Sequence, residues 1–182
     1  MGIKTEAEIE IDAPPERVFE WITDRKKVAE WCGADPEYMP ADRADLKVGY
    51  RGKGHFQAPD GPREIQFEVT AFEPPTTFAY RDTYDGGDQT TTTTLEASGS
   101  GTRLRTTSDT DYAKTAMPAA AVAQLDKVPG PMRKLIEKQI QMTAKAFEAG
   151  AFDKNPLMVK GMEKATEQGL EKLKKLVEAD AG

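Results

Sequence analysis

Ile3, Thr5, Ala7, Ile9 and Ile11 alternate with Lys4, Glu6, Glu8, Glu10 and Asp12, the period-two pattern of a strand with one buried and one wet face. Pro14 and Pro15 end that strand, and Pro15 suits a first helical turn. Val18, Trp21 and Ile22 then fall at helical spacing; Asp24, Arg25, Lys26 and Lys27 interrupt the stripe before Val28 and Trp31 resume it. The pattern predicts two short helices with a polar break.

From Leu46 to Gln57, Val48, Tyr50 and Phe56 alternate with Lys47, Arg51, Lys53 and His55, and Gly49, Gly52 and Gly54 make this a strand that bends. Asp60, Gly61 and Pro62 signal a turn into a strand whose inward row is Ile65, Phe67, Val69 and Ala71, stopped by Pro74 and Pro75. Phe78, Tyr80, Asp82 and Tyr84 share a face of the next strand, and the chain reverses through residues 85–88. The following strand reaches about Ala97 with Thr91, Thr93 and Leu95 inward. After a turn at 98–101, Leu104, Thr106, Ser108, Thr110 and Tyr112 line one side of the last strand. Six or seven antiparallel strands are expected.

Residues 113–130 are rich in Ala and broken by Pro118, Pro129 and Gly130, as a short helix or an irregular lid would be. Pro131 opens an amphipathic helix through Leu135, Ile136, Ile140 and Phe147 that Gly150 terminates. Asn155 and Pro156 start a final long helix striped by Met158, Met162, Ala165, Gly169, Leu170, Leu173, Leu176 and Val177. That stripe needs cover, and the concave side of the sheet is the surface that offers it. The expected fold class is α+β: a curved antiparallel sheet wrapped around the C-terminal helix, with two short helices after the first strand and an extra helix before the last. Residues 1–182 are expected to form one domain, with 113–150 an insertion or lid.

The formal charge is -6, from 25 Lys and Arg against 31 Asp and Glu, which disfavours phosphate backbones and anionic lipid, so no nucleic-acid partner is expected. Cys32 is the only cysteine, and no apolar run is long enough to be a signal-peptide core or a membrane span. A cytoplasmic protein without integral membrane association is therefore expected. His55 is the only histidine, and by strand parity it shares the solvent face with Lys53 and Arg51. Neither a metal centre, nor a cofactor, nor a serine-hydrolase elbow is expected from these residues.

Taken together, IEIDAPPERVFEWITD, VAEW, LKVGY, FEVTAFEPPTTFAYR, TTLEASGSGTRLRTT and MEKATEQGLEKLKKLVE resemble the SRPBCC superfamily of helix-grip proteins. Its members include START lipid-transfer domains, birch-pollen-allergen-like proteins, polyketide cyclases and heat-shock-ATPase activators. The resemblance implies a cavity between the sheet and the C-terminal helix that holds a hydrophobic or amphipathic small molecule, lipid- or polyketide-like. The chain is then a binding protein rather than an enzyme; the alternatives are a metal-independent polyketide cyclase or aromatase-like enzyme using the same cavity, and a co-chaperone-like interaction module. Residues 113–150 depart from the compact family pattern, and 131–149 is a candidate surface for a homodimer or protein partner.

Within that cavity, parity selects Tyr50, Phe56, Phe67, Tyr80, Asp82, Tyr84, Thr91, Thr93, Thr106, Ser108 and Tyr112 as wall residues, with Trp31 at the rim and Met158 and Met162 contributed by the last helix. No catalytic residue is assigned. Asp82 stands out, because an unpaired carboxylate between Tyr80 and Tyr84 is costly to bury. It is expected to orient a polar ligand group, to escape to solvent where the strand twists, or to be satisfied locally by Arg81 or another basic residue.

Overall fold

The computed structural model of the chain describes residues 3–33, 36–58, 61–84, 87–111 and 156–180. Six strands form one antiparallel sheet: β1 (Ile3–Ile11), β2 (Arg51–Ala58), β3 (Gly61–Glu73), β4 (Thr77–Tyr84), β5 (Gly87–Ser98) and β6 (Gly101–Asp111). Their spatial order is β1-β6-β5-β4-β3-β2, so the first strand pairs with the last and everything between is a meander. Two helices, α1 (Pro15–Thr23) and α2 (Arg25–Cys32), follow β1, and the long helix α3 (Pro156–Ala179) packs against β1, α1 and α2. None of the described helices is long and apolar enough to cross a membrane. The expected helix 131–149 and the expected lid 113–130 lie outside the described residues, as does Asn155.

The break between α1 and α2 has a local cause. The Asp24 carboxylate accepts from the backbone N–H groups of Lys26 and Lys27 at 2.9 and 3.0 Å, capping α2 where α1 ends. The core joins the sheet to the helices: Val18, Phe19 and Ile22 from α1, Phe67, Phe78, Leu95 and Leu104 from the sheet, and Leu170, Leu173 and Val177 from α3 are buried. Polar contacts fasten the end of α3. Trp21 Nε1 donates to Asp180 at 3.2 Å, Lys27 Nζ reaches the same carboxylate at 3.3 Å, and Glu178 accepts from the Asp12 backbone N–H at 2.9 Å.

Two sequence expectations need correction. The strand expected from Leu46 begins only at Arg51, because Gly49 sits at φ +83° and Tyr50 N–H bonds back to the Lys47 carbonyl at 3.0 Å, forming a turn. Val48 is consequently 61% exposed instead of inward. Within β3, the register slips between Val69 and Ala71 in a β-bulge. That extra residue reverses the alternation: Phe72 lies opposite the buried Phe78 and joins the core, where Ala71 was expected to carry the inward row.

Candidate functional site

A cavity of about 530 Å³ lies between the concave face of the sheet, α2 and α3. Its apolar wall is built by Ile22 and Val28 from the first helices, Ile65, Phe67, Phe78 and Leu104 from the sheet, and Leu170 and Leu173 from α3. Strand alternation brings a polar row onto the same face. Gln89 Nε2 donates to Thr91 Oγ1 at 3.3 Å, Thr91 and Ser108 hydroxyls lie 3.1 Å apart, and Thr93 Oγ1 donates to Thr106 Oγ1 at 3.3 Å. The last two pairs are cross-strand neighbours in the β5–β6 register, Thr91 opposite Ser108 and Thr93 opposite Thr106.

Asp82 enters the cavity from β4, and its carboxylate accepts a hydrogen bond from the Tyr38 hydroxyl. Burial pushes the Asp82 carboxyl up to about 7, and the Tyr38 hydrogen bond opposes that shift without cancelling it. Burial raises both the Tyr38 and Tyr80 hydroxyls further above their usual range, and the Asp82 charge adds to it, so both phenols stay protonated donors. The rings form a connected set: Phe67 lies 4.6 Å from Tyr38 and 5.2 Å from Tyr80, and Phe78 lies 5.5 Å from Tyr80, centroid to centroid.

Of the residues selected from the sequence, Trp31, Phe67, Tyr80, Asp82, Thr91, Thr93, Thr106 and Ser108 line this cavity. Trp31 is held there by its Nε1 donating to the Trp21 carbonyl at 3.1 Å. Tyr50, Tyr84 and Met162 are not among the described residues that line it. Tyr50 instead packs against the core with its ring 6.3 Å from Phe67. Tyr84 ends β4 opposite Gly87, and Met162 lies on α3 about one turn before the lining residues Ala165 and Thr166. The Tyr112 position and the Phe56 and Met158 side chains lie outside what is described. His55 is exposed, as parity requires, yet it also borders the cavity.

Tyr38 is a cavity-lining residue that strand parity does not reveal. It sits in a 3-10 turn, Pro36–Tyr38, laid across β2, and the close approach depends on Gly52: a methyl built there would overlap the Tyr38 carbonyl oxygen. A glycine inside a strand is a signal of such a backbone approach. Gly52→Ala is therefore expected to displace the turn, to destabilise the protein by about 1–3 kcal/mol, and to separate Tyr38 from Asp82. Loss of the Tyr38 hydroxyl-proton signal in NMR, together with a lowered denaturant midpoint, would register both effects; an unchanged spectrum would contradict them.

Among the described residues, no three His, Cys, Asp or Glu side chains gather as a metal site. The sequence matches the family model described as polyketide cyclase / dehydrase and lipid transport over residues 2–148. No curated protein matches significantly. Solved structures with a similar fold include a protein from Chromobacterium violaceum at 19% identity and TM-score 0.60, covering 96% of both chains. Another is a protein from Mesorhizobium loti at 20% identity and TM-score 0.58, covering 97% of both chains. A third is Ara h 8.0201, at 11% identity and TM-score 0.57 over 96% of both chains. At these identities the likeness establishes the helix-grip fold alone.

Proposed function

Since the chain belongs to the polyketide cyclase / dehydrase and lipid transport family, we propose that it binds a small hydrophobic or amphipathic molecule between the sheet and α3. The observation that supports this reading is the cavity itself. Its volume of about 530 Å³ falls in the range of small-molecule sites, and an apolar wall interrupted by a few convergent polar groups is the composition such sites share. The threonine ladder and the Tyr38–Asp82 pair supply directional contacts, while the leucines, isoleucines and phenylalanines bury the ligand body.

Native mass spectrometry of freshly purified protein, followed by denaturing extraction, tests the reading. A retained small molecule supports it; a protein that carries nothing and binds no apolar probe removes it. A cavity-filling variant localises the binding. Gly169 lines the cavity on α3 with Trp31 3.8 Å from the position of a Cβ. Gly169→Leu is expected to weaken probe binding by about tenfold or more, while a better helix former raises stability by roughly 1 kcal/mol. Undiminished binding in a folded Gly169→Leu protein would place the ligand elsewhere.

One observation favours a catalytic second reading: a carboxyl held at about 7 and bonded to a phenol suits proton transfer near neutral pH. Cyclisation or dehydration of a bound polyketide-like chain would use it. The same extraction separates the readings, because catalysis releases a molecule altered in mass or absorbance and carriage returns it unchanged. The interaction-module alternative rests on 131–149, outside the described residues.

A further inference from the structure

A carboxylate beside three aromatic rings is a combination that recognises one kind of polar group. Asp82, Tyr38, Tyr80 and Phe67 all line the cavity. Their rings are connected at 4.6 and 5.2 Å, and the Asp82 carboxylate is joined to the set through the Tyr38 hydroxyl. No Lys or Arg appears among the described residues that line the cavity. An ionised Asp82 thus has a phenol as its partner there and no guanidinium or ammonium from the described wall. A ligand carboxylate or phosphate would face that charge without compensation, whereas an ammonium would pair with it and lie against aromatic faces whose negative quadrupoles attract cations.

We propose that the ligand is an apolar molecule bearing a protonated amine, its ammonium held by Asp82 within the Tyr38–Phe67–Tyr80 aromatic set and its apolar body lying towards Leu170 and Leu173. This rests on the cavity-binding reading above and narrows it to a chemical class. Cys32, Tyr38, His55 and Tyr80 are the other titratable side chains described on the cavity wall. Tyr38 and Tyr80 remain neutral donors, so Asp82 supplies the charge. Its carboxyl at about 7 is mostly ionised at pH 8, the condition in which the preference is sharpest.

Isothermal titration calorimetry at pH 8 with decylamine, decanol and sodium decanoate, three probes of equal chain length, tests the class directly. The amine is expected to bind at least about tenfold more tightly than the alcohol, a margin of about 1.4 kcal/mol, with decanoate weakest. In Asp82→Asn the amine and the alcohol are expected to bind about equally. The protein carries a formal charge of -6, and general attraction of cations to its surface would survive loss of one carboxylate. An amine preference that persists in Asp82→Asn would therefore overturn the inference, as would decanoate binding as tightly as the amine. If decanol and decanoate bind and the amine gains nothing, the cavity reading stands and the ammonium class falls. If none of the three binds, the cavity reading falls as well.

Discussion

Asp82→Asn is expected to raise the melting temperature at pH 8 by roughly 4–8 °C and to lower it by a similar amount at pH 4. The Asp82 carboxyl titrates near 7 in the folded protein, against about 3.9 in an unfolded chain. Below about pH 4 both states hold the proton, and the site carries no penalty. Between about 4 and 7 the unfolded chain has released its proton while the folded one keeps it, so stability falls as pH rises. Above 7 both are ionised, and the accumulated cost levels off at about 4 kcal/mol, at about 1.36 kcal/mol for each pH unit separating the two titrations. An amide removes this pH-dependent cost and still offers Tyr38 an acceptor oxygen. Allowing about half of that benefit, about 2 kcal/mol, to be lost to the new N–H groups at either pH leaves about 2 kcal/mol at pH 8, and a chain of this size gains about 2–4 °C per kcal/mol. Melting curves of both proteins at the two pH values check it: a fall at pH 8, or equal shifts at both, would show that Asp82 is not destabilised by burial of its charge.

Phe67→Ala is expected to lower stability by about 3–5 kcal/mol, the usual cost of removing a buried phenylalanine. Phe67 is 1% exposed and touches the rings of Tyr38, Tyr50, Phe78 and Tyr80. Its loss removes the centre of the aromatic set and enlarges the cavity from the side where Tyr38 is held. The expected signature is twofold: a lower denaturant midpoint, and improved binding of bulkier apolar probes relative to slender ones. Phe67→Leu, which retains most of the volume, should keep the fold and lose mainly the aromatic contribution. A Phe67→Ala protein as stable as the wild type would mean that the ring lies at the edge of the core rather than in it.

The polar parts of the site are held by different forces. The threonine ladder rests on strand register, which many backbone hydrogen bonds hold in common. The Tyr38–Asp82 pair joins a short turn to a strand 44 positions away, and no backbone pairing shared by the two elements holds them together. The close seat at Gly52 substitutes for it.

Much of this architecture is legible in the chain's local patterns. Period-two alternation in Ile3–Ile11 and in Thr91, Thr93 and Leu95 names the face of each residue, because a strand has only two faces. The helix starts at Pro15 and Pro156, and the polar break before Val28, follow from local backbone chemistry in the same way. Face assignment also brings Tyr80, Asp82, Thr106 and Ser108 to one wall once the strands join in a single curved sheet. The misplacements arise where a single residue changes parity. The turn at Gly49, with its positive φ, leaves Val48 exposed instead of in the expected row, and the bulge after Val69 exchanges Ala71 for Phe72.

Local sequence alone therefore sets the order and type of the described strands and α-helices, the inward rows of β1, β4, β5 and β6, and the presence of a carboxylate on a buried face. Those properties depend on neighbours two to four positions apart. Which group meets that carboxylate is settled by long-range packing, because the answer depends on how a 3-10 turn crosses a distant strand, and the close backbone approach at Gly52 leaves no local periodicity to read. The same packing sets the distance between α3 and the sheet, and hence whether their apolar faces touch or leave room for a ligand.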